Sequence, residues 1–502
     1  MAKHPNIVVV VTDDQGAWAM GCAGNRELRT PTLDRLAAEG TRFDSFFCVS
    51  PVCSPARASI LTGRIPSQHG VHDWLRAGNS TCEPEQGGKL VEYLAGFEGY
   101  TDHLARAGYV CGMSGKWHMG DCHHAQKSYT FWKAHARAGG SYMKAPMVKD
   151  EREIELTDRY VTDVITDNAI DFLEQVAGGS TPATGDDAAP FCLSVNYTAP
   201  HSPWEREEHP ADVFNDYYDN CAFASVPDNA PHPWDRGRTD FFSSPERRRE
   251  KLAGYFAATT CMDAGVGRIV SWLEEHGLAE DTLVLFTSDN GMNMGHHGIC
   301  GKGNGTWPIN MYDTSVKVPF IAWQPGTVPA GRVETGLYSQ YDVLPTILDW
   351  AGVGKLDDSS LPGSSLAPVL RGEVADGASA AAASQNDAVV VYASESAQSE
   401  YGPVRMIRTT RRKYVHRYPG GPHEFYDLEN DPDETSNLFN DAAFHDEIAE
   451  MRSRLEAWFV DYVDPVMDGA TKAVSGQGQL DLATLAQEGD VPFAQLWMKS
   501  WW

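Results

Sequence analysis

The sequence predicts an α/β fold: a large mixed, mostly parallel sheet sandwiched by helices, followed by a smaller C-terminal α+β subdomain. Three observations carry this. Asn6–Thr12 (NIVVVVT) is an unbroken, mostly β-branched run, the pattern of a strand buried on both faces. Strand-like runs at 109–113, 191–197 and 282–287 alternate with helix-like stretches at 100–107, 157–176 and 246–276, the order that builds parallel sheets. The 502 residues are 42% hydrophobic, enough to bury a large core.

Taken in order, the first strand is followed by Pro31–Glu39 and Gly40, a short helix with a glycine stop. Pro55 fits the first turn of a second helix that runs through Leu61 and stops near Gly63. Residues 178–189 (GGSTPATGDDAA) read as a surface loop and 372–388 (GEVADGASAAAASQNDA) as a linker. The expected units are therefore a catalytic α/β domain over 1–371, the linker, an α+β subdomain over 389–465 and a tail over 466–502. The subdomain shows short strands at 389–392, Val404–Thr409 and 413–418, then a helix near 444–462. The tail ends in the apolar LWMKSWW and is expected to pack on its own core, an oligomer contact being the other reading.

Forty-one basic against 69 acidic side chains give a net charge of −28, which argues against nucleic acid or an anionic membrane as partner. The apolar run Ile7 to Val11 is shorter than a signal-peptide core, and no membrane-spanning apolar stretch occurs. Ten scattered cysteines without a secretion signal read as reduced thiols, and a cytoplasmic location is expected.

In doubly wound sheets ligands bind beyond the carboxyl ends of strands. Asp13 and Asp14 directly follow the first strand, and Asp289 and Asn290 follow the run at 282–287. Converging, four such hard oxygen donors suit Ca²⁺ or Mg²⁺ better than zinc; separately, they are caps or turns. In Ser50-Pro-Val-Cys53-Ser-Pro55-Ala-Arg57, Cys53 sits at a helix N-terminus with Arg57 one turn later. A thiol there would have a lowered pKa and serve as a nucleophile; a buried structural cysteine is the competing reading.

Cys-x-Pro-x-Arg, here Cys53 to Arg57 with Ser59 and Thr62-Gly63 behind it, resembles the motif of formylglycine-dependent sulfatases of the alkaline phosphatase superfamily. Asp13-Asp14-Gln15, Gly115-Lys116-Trp-His118, Pro200-His201-Ser-Pro203, Ser288-Asp289-Asn290-Gly291, Gly301-Lys302-Gly303, the strand entry at 312–319 and the segment at 424–432 with Asn437-Leu438 resemble further family motifs. They occur in family order over about residues 5–460. The resemblance implies a sulfuric ester hydrolase in which Cys53 is oxidised by a maturation enzyme to formylglycine, whose hydrate attacks sulfur. Asp13, Asp14, Asp289 and Asn290, with an oxygen of modified Cys53, would hold Ca²⁺, with Mg²⁺ as the alternative. It further implies that Arg57 orients the modified residue, that His118 bonds its hydrate, and that Lys116, Lys302 and His201 act on the sulfate. His201 or Lys302 is the candidate acid for the leaving alcohol.

Specificity must come from other residues. His72-Asp73-Trp74-Leu-Arg76 mixes donors, an acceptor and an aromatic face suited to a sugar ring, and His297 and Trp307 are further candidates. Adjacent histidines at 123–124 and 296–297 are poor zinc sites. The favoured substrate is an O-sulfated mono- or oligosaccharide, with a 6-O-sulfated N-acetylhexosamine foremost. An arylsulfatase, a phosphonate or phosphate monoester hydrolase, and an inactive sugar-sulfate binder with unmodified Cys53 are the alternatives. The oligomeric state is not legible.

Overall fold

The structure is a computed structural model that describes residues 4–75, 91–149, 151–156, 159–177, 189–235, 237, 239–354, 356, 358–373, 388–393, 402–418, 420–470 and 479. Arg76, nearly all of the loop expected at 178–189, most of the linker and the terminal LWMKSWW lie outside them. Among the described residues no helix is long and apolar enough to cross a membrane.

Ten strands form the main sheet, in the order Arg332–Glu334, Thr41–Phe43, Phe320–Trp323, Thr282–Ser288, Asn6–Thr12, Phe191–Asn196, Val110–Lys116, Phe131–His135, Pro146–Lys149, Arg152–Glu155. The five central strands, Thr282–Ser288 through Phe131–His135, run parallel. The first strand shows why its sequence is apolar throughout. Ile7, Val9 and Val11 enter the core on one face, while Val8 and Val10 enter the core on the other, beside helices Pro31–Glu39, Val161–Ala177 and Pro245–Glu275. Every face is covered, so alternation is not needed.

A second, antiparallel sheet runs Ala388–Ala393, Val404–Thr409, Arg412–Arg417, Glu424–Asp427. Here alternation returns. Val389, Val391, Met406 and Val415 face the core of the main unit, whereas Val390, Tyr392, Ile407, Tyr414 and Phe425 pack against helix His445–Tyr462. One difference from the sequence reading matters for function. The strand expected at 109–113 is Val110–Lys116 and carries Lys116 as its last residue.

Candidate active site

The site grows from two strand ends. Thr12 and Ser288 are register partners in adjacent parallel strands, so the residues that follow leave the sheet side by side; Asp289 N donates to Thr12 O at 3.1 Å. Asp14 takes a left-handed backbone (φ 64°), and Tyr255 on the long helix Pro245–Glu275 holds that turn. Its hydroxyl donates to Asp14 O at 3.0 Å and accepts from Gly16 N at 3.2 Å. Gln340 braces the second strand end. Its Nε2 donates to Ser288 O and Asp289 O at 2.9 and 2.7 Å, and its Oε1 accepts from Val49 N at 3.0 Å, just upstream of the cysteine.

Cys53 opens helix Cys53–Thr62, all ten residues of which are buried. Pro55 lies in its first turn, and Gly63, at φ 65°, ends it with N–H donating to Ser59 O at 2.9 Å. This helix carries the cysteine into the strand ends. One donor atom each from Asp13, Asp14, Cys53 and Asp289 lies within 4.8 Å of the others.

Three cations answer the three carboxylates. Lys116 Nζ is 2.6 Å from Asp13 Oδ2, Lys302 Nζ is 2.6 Å from Asp14 Oδ1, and Arg57 Nε donates to Asp289 Oδ2 at 2.9 Å with the charge of Nη2 at the same distance. Lys302 Nζ also lies 2.7 Å from Cys53 Sγ, and Cys53 Sγ is 3.4 Å from Asp13 Oδ1. Asn290 Nδ2 donates to Asp14 Oδ1 at 2.8 Å, while Asn290 Oδ1 is buried without a hydrogen-bond partner among the described residues. A buried acceptor left open costs free energy unless something else occupies it. With three hard carboxylates beside it, the donor set fits a divalent cation.

Burial is the largest influence on Asp13, Asp14, Asp289 and Cys53, and the partners decide the outcome. Burial raises the Asp289 carboxyl, yet Arg57, Lys116 and Lys302 hold it well below the usual carboxylate range. Lys302 and His201 likewise hold Asp14 down against burial. Asp13 is pushed up by burial, with Lys116 opposing. The expectation of an acidic thiol at Cys53 is overturned. Its side chain is 1% exposed, and desolvation together with the Asp13 carboxylate outweighs Lys116 and Lys302, pushing the thiol up rather than down.

Lys116, closing its strand, is brought into the nest, and His118 follows two residues on at φ 53°. His118 Nε2 donates to Leu75 O at 2.9 Å, Nδ1 has no partner among the described residues, and burial followed by Lys116 keeps the ring neutral. His201 stands at the rim, its side chain 26% exposed and its Nε2 3.7 Å from Asp14 Oδ2.

The residues expected to read a sugar separate. Leu75 N donates to Ser54 Oγ at 3.1 Å, which seats the preceding residues beside the start of the cysteine helix. Trp74, half-buried, meets the His118 ring edge-on at 6.0 Å. Asp73 is fully buried, and its Oδ1 accepts from Trp74 N at 2.7 Å. His72 is buried against the second sheet, 3.4 Å from the Tyr392 hydroxyl, with its N–H donating to Gln479. His297 stacks flat on Tyr312 at 3.8 Å, and Trp307 N donates to Trp234 O at 2.9 Å. Tyr255 and Gln340 escaped the sequence reading because their bonds join segments 50 or more positions apart, and no local pattern marks either.

A cysteine helix and three charge-paired carboxylates at the carboxyl edge of a doubly wound sheet define an alkaline-phosphatase-like hydrolase. The sulfatase family model matches residues 5–353, and a model of the C-terminal part of N-sulphoglucosamine sulphohydrolase matches 307–460. The chain belongs to the sulfatase family and is a sulfuric ester hydrolase. An N-acetylglucosamine-6-O-sulfatase of Bacteroides thetaiotaomicron is 28% identical, over 92% of this chain and 87% of its own. An N-acetylgalactosamine-6-sulfatase of Canis lupus familiaris is 29% identical, over 74% of this chain and 66% of its own. A protein solved with its substrate D-glucosamine-2-N,6-O-disulfate superposes with a TM-score of 0.70 at 25% identity, covering 91% of this chain and 98% of that one.

Proposed function

We propose that this enzyme removes the 6-O-sulfate of an N-acetylhexosamine, free or ending a short oligosaccharide. The observation that carries the reading is the nest itself, a buried cysteine held among Asp13, Asp14 and Asp289 with the open Asn290 Oδ1. The choice of sugar draws on the relatives, two of which are named for 6-sulfated N-acetylhexosamines.

Asp13, Asp14, Asp289 and Asn290 would hold Ca²⁺, or Mg²⁺, together with residue 53. Cys53, matured to formylglycine by a host enzyme met transiently, supplies an aldehyde-hydrate oxygen nucleophile, and the cation supplies Lewis-acid stabilisation of negative charge. The raised pKa of the native thiol fits this need for conversion, because a neutral thiol attacks poorly.

The remaining work falls to the chain's own side chains. Arg57 holds Asp289 and the turn around it. Lys116 and Lys302 face their carboxylates as charged donors and offer N–H groups to the non-bridging sulfate oxygens, where charge grows in the transition state. His201, at the rim, is placed to deliver the proton that a sugar oxygen needs when the S–O bond breaks. His118 stays neutral and keeps a ring lone pair for the hydrate. Trp74 offers an apolar face to the sugar ring.

The test is hydrolysis by matured protein across defined sulfated saccharides. Release of sulfate from 6-O-sulfated N-acetylhexosamines at least tenfold above other positions is expected. A preference for an aryl sulfate or a phosphonate monoester would overturn the reading.

A further inference from the structure

Lys302 reaches both Asp14 and Cys53, but its own chain segment gives it little rigidity. The turn that follows, Gly303–Gly305, holds two glycines. Gly303 is there because a Cβ would meet Pro51 Cγ at 2.5 Å, two residues upstream of Cys53. Close approach to the cysteine segment is thus obtained with a residue that leaves the backbone loose. Something else must hold the lysine.

We infer that Asn310, with Ser315 behind it, is the positioning residue for Lys302. Asn310 is fully buried. The two N–H groups of its Nδ2 are shared among Lys302 O at 3.1 Å, Gly303 O at 3.0 Å and Thr306 Oγ1 at 3.2 Å, and its backbone N–H donates to Gly303 O at 3.0 Å. Two of these acceptors are carbonyls, so the amide can sit only one way round. Its Oδ1 accepts from Ser315 Oγ at 2.7 Å, and that hydroxyl accepts from Asn293 Nδ2 at 2.7 Å. Asn293 Nδ2 also donates to Gly301 O at 2.8 Å, and Gly291 N donates to Ser315 O at 3.0 Å. The relay therefore ties both flanks of Lys302 to the turn that carries Asp289 and Asn290. It holds the backbone of the lysine relative to the carboxylates without touching the Lys302 ammonium or a carboxylate.

This inference rests on the proposed role of Lys302 in sulfate transfer, and a double-mutant cycle tests the two separately. Matured Asn310→Ala, Lys302→Met and the double variant are compared on 4-nitrophenyl sulfate. Asn310→Ala is expected to lower kcat about 10- to 100-fold, as displaced catalytic groups do, with KM changed less than about threefold. In the Lys302→Met background the same substitution should cost less than about twofold. Losses that multiply across the two sites would overturn the inference, as would wild-type kcat in Asn310→Ala. Wild-type kcat in Lys302→Met would instead refute the role of the lysine. If Asn310→Ala does not fold, Ser315→Ala decides by the same cycle, with a several-fold loss of kcat expected only where Lys302 is present.

Discussion

Arg57 shows how closely the chemistry of the nest depends on single groups. Its Nε and Nη2 both meet one oxygen of Asp289, and the pair is buried at 3% and 0% side-chain exposure. A lysine could keep the charge but not both directed bonds, Nε to Asp289 Oδ2 and Nη1 to Lys116 O at 3.3 Å. Arg57→Lys is expected to lower kcat on the order of 10²-fold by letting the Asp289 turn shift, which steady-state kinetics on an aryl sulfate would measure. Asp289→Ala goes further, since it deletes a proposed metal ligand and strands a buried guanidinium. The expected results are loss of bound cation in elemental analysis, near-complete loss of turnover and about 3–5 kcal/mol of destabilisation; unchanged metal content would refute the ligand assignment. These groups were legible in the sequence because each follows a strand or opens a helix in a contiguous motif. Tyr255, Gln340 and Asn310 were not, since a buried amide or phenol is assigned its task only when distant segments meet. The tasks of Asp73 and His72 are not legible for the same reason: a polar residue near a catalytic helix reads alike whether it faces a ligand or caps a turn.

At the scale of elements, the strand Val110–Lys116 shows why the sequence reading ended the strand at 113. Ser114-Gly115-Lys116 has poor strand propensity, yet Gly115 is where the strand passes closest to its neighbour. At φ 105° a Cβ on Gly115 would lie 2.0 Å from Asn196 O, so only glycine lets the ladder continue to Lys116. Gly115→Ala is expected to cost at least about 3 kcal/mol, combining backbone strain and a clash with the next strand; a denaturant midpoint near wild type would refute this. The loop bearing His201 has its own anchor in His209, which is 4% exposed. His209 Nε2 donates to Pro203 O at 3.2 Å and Nδ1 accepts from the Tyr160 hydroxyl at 3.2 Å, the pattern of a neutral ring. Burial pushes its pKa down to about 4, whereas the unfolded chain protonates near 6.5. The unfolded state therefore binds the extra proton between these values, and stability is lost as pH falls from about 6.5 to 4. The bound on this contribution is about 3 kcal/mol. His209→Gln should flatten that limb of a melting-temperature profile by roughly one proton's worth, and an unchanged slope would exclude the assignment.

The molecule as a whole is held together across its two largest sheets by a largely buried charge cluster. Lys413, on the second sheet and fully buried, places Nζ 2.6 Å from Asp313 Oδ1 and 2.9 Å from Met311 O, and pairs with Glu434. Arg408 on the neighbouring strand grips Asp313 Oδ2 at 3.0 Å, and Glu434 Oε2 accepts from Asp313 N at 2.6 Å. Two cations and two carboxylates thus cancel in a cluster whose Lys413 and Glu434 are fully buried while Asp313 keeps 18% side-chain exposure, and the second sheet becomes part of the scaffold that ends in Ser315 and Asn310. Such a cluster contributes little over a well-packed apolar seam, but breaking it is costly because the remaining charges stay buried. Lys413→Met keeps the volume and removes one cation, leaving two carboxylates to one arginine. About 3–5 kcal/mol of destabilisation is expected at pH 8. The penalty should shrink at lower pH, because burial already pushes the Glu434 carboxyl up to about 7, and below that it takes up a proton and stops demanding a partner. Adding Glu434→Gln to Lys413→Met should recover stability at pH 8 and remove the pH dependence of the difference. A single variant that melts like wild type at pH 8, or a double variant no better than the single, would show that the two sheets are joined by apolar packing alone.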